Sequence, residues 1–161
     1  MNNTLLTVTI PLHNAEATIS DTIASILNQT YPYFEIIVVD DCSTDNSLKK
    51  VRSFNDNRIR LFHNQVNQGP FFSRNIGLKK AKGDFITNVD ADDILSPHRF
   101  QFILDYFSQH PEIQYLETRY LRFREKSSEL WFRNWTRGVG YPVFRRKVIE
   151  EIGYFLPLRA R

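Results

Sequence analysis

At 161 residues with a net charge of +3, the chain is long enough for one domain with a real core and carries only a modest basic excess. Its 42% hydrophobic and 24% charged residues exclude a disordered chain, and one cysteine, Cys42, excludes an internal disulfide or a cysteine-rich metal site and suits a reducing, cytoplasmic compartment. No apolar run approaches the roughly 20 residues that span a bilayer, and the N-terminus lacks a basic-then-apolar signal pattern.

Leu5 to Ile10 is β-branched and reads as a buried strand stopped by Pro11. Apolar residues at Ile19, Ile23, Ile26 and Leu27 predict a helix from Ala15 to Gln29, broken at Thr30-Tyr31-Pro32. Phe34 to Val39 is a second strand, apolar almost throughout as a strand covered on both faces would be, and it ends in Asp40-Asp41. A polar turn from Cys42 leads to a short helix through Val51, and Ile59 to Phe62 is a third strand. A loop at Asn67-Gln68-Gly69-Pro70 precedes a helix from Phe71 to Lys82, with Gly83 as its left-handed cap. After Asp84 to Asp93, a helix is expected from Pro97 to His110 and an extended strand within Ile113 to Phe123. Ser127 to Gly140, with Trp131, Phe132 and Trp135, reads as an aromatic loop or short helix. A last strand at Tyr141 to Phe144 and a helix from Arg145 to Ile152 close the pattern at Gly153.

This alternation of strand and helix predicts an α/β fold with a mostly parallel sheet flanked by helices, whose strand carboxyl ends line a ligand crevice. The chain is organised around Asp84 to Asp93, where apolar Phe85, Ile86 and Val89 give way to Asp90, Asp92 and Asp93. Three carboxylates so close repel unless a cation or a set of donors sits among them. Taken alone, the run reads either as a solvated acidic turn before a helix or as a cation site. From Arg119 to Arg161 eleven basic residues stand against four acidic ones. That excess suits an anionic membrane surface, hence peripheral membrane association, or a phosphorylated acceptor; nucleic acid is not expected, because no binding motif accompanies the charge.

Four motifs carry a family resemblance: Pro11-Leu12-His13-Asn14; Val39-Asp40-Asp41-Cys42-Ser43-Thr44-Asp45; Asn67-Gln68-Gly69 with Arg74-Asn75-Ile76-Gly77; and Asp90-Ala91-Asp92-Asp93. Their order and spacing over about residues 4 to 153 resemble family 2 glycosyltransferases of the GT-A fold. The resemblance implies a single Rossmann-like domain over 1–161, with a nucleotide-sugar-binding half over 1–95 and a partial acceptor-side half over 96–161. It also implies inverting, metal-dependent transfer of a sugar from a nucleotide diphosphate, UDP by expectation, to a cell-surface polysaccharide or glycolipid acceptor. Such a reaction belongs at the inner face of the membrane.

Residue by residue, the resemblance makes Asp92, with Asp93, the ligand of a Mn²⁺ or Mg²⁺ ion in a DXD motif. Asp90 falls near the ribose, metal or acceptor. Asp41 is expected to accept hydrogen bonds from the base with Asp40 in support, Pro11 and Asn14 to shape the loop over it, and His13 to stack on it where the family often has an aromatic residue. Arg74 is expected to reach the diphosphate, and Gly69 to supply turn geometry. An oxygen-ligated divalent cation suits a leaving diphosphate, which gains negative charge as the sugar departs.

Besides His13, the chain departs from the family at the catalytic base. The family's catalytic base is an Asp or Glu a few residues beyond the position of Arg159-Ala160-Arg161, and no carboxylate follows Glu151. Truncation before that motif is expected, and a catalytically incomplete nucleotide-sugar-binding module is the alternative. A receiver-type phosphoacceptor domain would need its acidic pair after the first strand, and a nucleotidyltransferase a glycine-rich basic loop there. Pro11-Leu12-His13-Asn14 supplies neither.

Overall fold

The computed structural model describes residues 4–118 and 141–155. The aromatic segment 127–140, the far end of the strand expected to reach Phe123, and Arg159 to Arg161 lie outside them.

Alternation within the strands sorts side chains onto two helical layers. Strand β1 (Leu6–Leu12) sends Leu6, Val8, Ile10 and Leu12 into a core shared with Phe34, Ile36 and Val38 of β2 (Phe34–Asp40). Helix α1 (Ile19–Leu27) packs Ile19, Ile23 and Ile26 against that face. Val51 of α2 (Ser47–Ser53) and Phe100, Ile103, Leu104 and Phe107 of α4 (Arg99–Gln109) join them. On the other face α3 (Pro70–Lys80) lies over β1 and β2. There Leu78 meets Ile86 of β4 (Phe85–Asn88) and Phe144 of β6 (Val143–Arg145), with Val148 and Ile149 of α5 (Arg146–Ile152) beside them. Each fully buried Leu, Ile or Phe contributes roughly 1.5–3 kcal/mol, so the larger cluster dominates stability.

With β3 (Ile59–His63) and β5 (Tyr115–Leu116), the sheet order is β3-β2-β1-β4-β6-β5. The first four strands are parallel; β6 runs antiparallel to both β4 and β5. Strand order reverses between β1 and β4, and the crevice expected of a doubly wound sheet opens at their carboxyl ends.

Several boundaries differ from expectation, two of them for tertiary reasons. Pro11 does not stop β1, which pairs through Pro11 and Leu12 with Val39 and Asp40. Leu12 faces β2, since its carbonyl accepts from Asp41 N at 2.7 Å, so Pro11 faces the opposite side. There β4 pairing stops at Thr9 and Asn88, and no ladder needs the missing N–H. Gly83 is not a left-handed cap. Helix α3 ends at Lys80 with Ala81 extended, and Gly83 lies where a Cβ would come within 2.7 Å of Leu5 O and Thr7 N. Its missing side chain permits a close crossing of β1. Helix α1 likewise starts at Ile19 rather than Ala15, because Ala15 to Thr18 forms a separate turn. Of the expected 113–123 strand, only Tyr115 and Leu116 pair among the described residues.

At the amino-terminal end of the sheet, buried Glu35 accepts from Thr7 Oγ1, Arg60 Nη1 and Lys82 N, tying β2 to β1, β3 and the loop before β4. Burial pushes its pKa up, but these hydrogen bonds outweigh burial and hold it below the ordinary glutamate value.

Candidate active site

A cleft of about 600 Å³ opens where the strand order reverses. Its walls come from the loop after β1 (Pro11, His13, Asn14), the end of β2 (Asp41), the entry to α3 (Asn67, Gly69, Arg74) and the turn after β4 (Asp90, Ala91, Asp92). These residues are distant in sequence and meet because parallel strands end on one side of the sheet.

Asp41 is 3% exposed, and both its oxygens are engaged. Oδ1 accepts from Asn64 Nδ2 at 2.7 Å and Gln68 N at 3.0 Å, and Oδ2 from Gly69 N at 2.7 Å. The carboxylate thereby fastens the loop before α3, whose turn Gly69 makes at φ +88°, where glycine is favoured. Asp40 lies behind the cleft rather than in it. Fully buried, it accepts from His63 Nδ1 at 2.6 Å and from Ser43 N at 3.3 Å, which supports the loop carrying Asp41 from beneath.

His13 is fixed by partners that leave no choice. Asp41 O can only accept, so His13 Nδ1 carries the proton it donates at 2.9 Å. Backbone N–H groups can only donate, so Thr44 N orients the Asn14 oxygen and Gly69 N the Asn67 oxygen. The amide nitrogens of Asn67 and Asn14 then face His13 Nε2, at 3.2 and 3.4 Å. Asn14 and Cys42, at φ +48° and +62°, sit in the left-handed region on either side of this junction. Backbone strain held by a surrounding network is characteristic of functional loops.

Arg74, mostly buried on α3, lies over the Phe71 ring and donates to Asp90 Oδ1 at 2.5 Å. Its neighbour Asn75 pairs with both backbone groups of Phe155 (2.8 and 2.9 Å), drawing the chain after α5 to the same flank. Asp92 is exposed at the cleft, whereas Asp93 is half-buried and does not line it. Burial, then the charges of Asp92 and Asp90, push the Asp93 carboxyl up to about 6.

Among the described residues no three His, Cys, Asp or Glu side chains form a ready protein-only metal cage. The donor set fits a different kind of site. Mg²⁺ and Mn²⁺ are commonly held by one or two carboxylates plus substrate phosphates and water, and the mutual repulsion around Asp93 is what a cation would relieve.

Thr18, Thr22 and Asn64 stand outside the sequence motifs, and Asn67 belongs to one of them but has no role assigned there. The first two donate to Ala91 O, within the acidic turn. Their only sequence signal is polarity on the otherwise apolar inner side of a helix.

The fold and cleft together define a Rossmann-like α/β protein with a ligand crevice bearing carboxylates and one guanidinium. The family model described as "Glycosyl transferase family 2" matches residues 7–157, and the chain belongs to that family. An uncharacterised glycosyltransferase of Haemophilus influenzae is 40% identical over 112 residues, covering 68% of this chain and 45% of the relative. The Escherichia coli protein UDP-Glc:alpha-D-GlcNAc-diphosphoundecaprenol beta-1,3-glucosyltransferase WfgD is 46% identical over 94 residues, 58% of this chain and 37% of the relative. The chain therefore spans less than half the length of these relatives. Among solved structures, S. aureus TarS 1-349 in complex with UDP-GlcNAc superposes with a TM-score of 0.78 at 25% identity, over 94% of this chain and 48% of that one. The architecture is the GT-A fold.

Proposed function

We propose that this chain forms the donor-binding part of a glycosyltransferase that moves a sugar from UDP to a saccharide or lipid-linked acceptor in polysaccharide or glycolipid assembly. The observation that carries this reading is the convergence of Asp41, Arg74, Asp90 and Asp92 with the His13–Asn14 loop on one cleft at the switch point. The names of the UDP-Glc-dependent relative and of the UDP-GlcNAc complex support uracil as the base and a lipid-linked acceptor. Such an acceptor would bring the domain to the inner membrane face, where the basic excess from Arg119 onward meets anionic headgroups. Among the described residues no helix is long and apolar enough to cross a membrane.

In this reading Pro11, His13 and Asn14 wall the base, while Asp41 and Asp40 hold the loops that surround it. Arg74 faces the diphosphate; its bond to Asp90 keeps the guanidinium extended toward the cleft before the donor arrives, so little ordering is left to be done on binding. Asp92 and Asp93 would hold Mn²⁺ or Mg²⁺. When bound, such an ion neutralises the charge that gathers on the departing diphosphate. The proposed course is inverting: the acceptor hydroxyl attacks the anomeric carbon from the face opposite UDP, and a base must take its proton. No described residue is assigned that role.

Equilibrium binding to UDP, GDP, ADP and CMP tests the donor assignment. UDP should bind tightest, and Arg74→Ala should weaken it about tenfold or more through lost charge-assisted bonds. Equal affinity for all four nucleotides, or an Arg74→Ala variant that binds like wild type, would contradict the assignment.

A further inference from the structure

One edge of α1 and its flanks is polar where the rest of the packed face is apolar. Thr18, Thr22, Ser25 and Gln29 recur at helical spacing and form a row. Each side chain meets the main chain of the segment after β4, in order. Thr18 Oγ1 and Thr22 Oγ1 both donate to Ala91 O at 2.9 Å. Ser25 Oγ accepts from Leu95 N at 3.0 Å. Gln29 donates to Ser96 O at 2.7 Å and accepts from Phe100 N at 3.1 Å.

The first rung differs from the others. A hydroxyl has one proton, and both threonines direct it to the same carbonyl, their other acceptors lying farther away at 3.4 and 3.5 Å. One partner would satisfy a buried carbonyl, whereas here both lone pairs are occupied. Thr22 is fully buried, and Thr18 lines the cleft itself. The carbonyl they hold belongs to the peptide between Ala91 and Asp92, midway between the carboxylate that meets Arg74 and the one exposed at the cleft. Rotating that peptide plane would turn Asp92 away from the cleft and disturb the Asp90–Arg74 pair.

We infer that Thr18 and Thr22 are positioning residues, aiming the Asp90–Asp92 turn at the donor's diphosphate and its cation by fixing the Ala91 carbonyl from two sides. The inference rests on the nucleotide-and-metal reading above. It makes the first turn of α1 a shared support, since the same short stretch of chain leaves the base-side loop and clamps the acidic turn.

The test uses the 161-residue chain with Mn²⁺ and UDP, reading bound Mn²⁺ from loss of the free-ion electron paramagnetic resonance signal. Replacing both threonines by the isosteric valine removes the hydroxyls at constant shape. Mn²⁺ binding should weaken about tenfold or more, as expected when groups behind metal ligands are lost. UDP affinity without metal should fall less than Mn²⁺ affinity does, because the loop residues Pro11, His13 and Asn14 are untouched and only the Arg74–Asp90 contact is disturbed. The Thr→Ser pair, which keeps both hydroxyls, should restore Mn²⁺ binding. Should the double valine variant fail to fold, Thr18→Val alone, at the less buried position, should still cost a few-fold in Mn²⁺ affinity. A folded valine variant, double or single, with wild-type Mn²⁺ affinity would reduce the row to a structural role and overturn the inference. A wild-type chain that binds UDP but no Mn²⁺ would overturn the metal reading and the aiming role with it. A chain that binds neither would overturn the donor assignment as well.

Discussion

His13 lines the cleft where the proposed function puts the base, yet its edge nitrogens are already committed, Nδ1 to Asp41 O and Nε2 to the Asn67 and Asn14 amides. A ring that only stacks on a base would be replaceable by phenylalanine, whereas a ring that braces two loops would not. The bracing geometry predicts that His13→Phe weakens UDP binding about tenfold, the worth of one to two hydrogen bonds, while His13→Gln, which can donate and accept, loses less. Calorimetric affinities in the order wild type, Gln, Phe support the brace. A Phe variant as good as wild type, with Gln the worst, would leave stacking as its role. Asp93 carries a second prediction at this scale. Its folded pKa of about 6 lies above the ordinary value of 3.8, so ionisation is disfavoured in the metal-free folded state. Its favourable contribution is complete below about pH 4 and is lost as pH rises through about 6. Asp93→Asn should therefore raise metal-free thermal stability at pH 7.5 and leave it unchanged at pH 4; equal effects at both pH values would contradict the crowding of charge. Asp41, Asp90 and Asp92 were legible in the sequence because polar residues at the ends of apolar runs stand out, whereas Arg74, one turn into a helix, was marked by the family resemblance alone. Thr18, Thr22 and Asn64 were not, since each acts on a partner from a different element and the only local mark is the polarity of the two threonines on an otherwise apolar helix side.

At the scale of elements, the strand runs could be read directly, because β1 and β2 are β-branched and buried on both faces. The misread boundaries share a cause. Whether Pro11 ends a strand depends on where β4 stops beside it, and whether Gly83 is a cap depends on how closely the α3–β4 connection crosses β1. Neither is a local property. Gly83→Ala should accordingly act as overpacking against backbone, with contacts of 2.7 Å that no side-chain rotation relieves. A loss of about 1–3 kcal/mol in urea denaturation is expected. Stability unchanged within error would show that the crossing has slack.

At the scale of the molecule, the doubly wound order turns three separate strand ends and one helix into a single cleft. Strand β1 is central, its following loop walls one side of the cleft, and α1 returns from that loop to clamp the turn after β4. The two sides of the cleft are thus braced by the same stretch of chain. Fold class and the position of the crevice were legible because strand–helix alternation restricts the topology to few choices. How the crevice is held was not: Asp40, expected in support of Asp41, lies beneath the floor paired with His63, while Asp41 lines the cleft. The central claim is that this cleft holds a nucleotide diphosphate together with a divalent cation at the acidic turn. Calorimetric titration of the chain with UDP, in Mn²⁺ and then in EDTA, using wild type and Asp92→Ala in parallel, tests it most directly. Wild-type affinity should fall about tenfold or more on removing the metal, and Asp92→Ala should show the weak, metal-independent affinity in both conditions. Wild-type affinity unchanged by EDTA, or an Asp92→Ala chain that still responds to Mn²⁺ as wild type does, would contradict it.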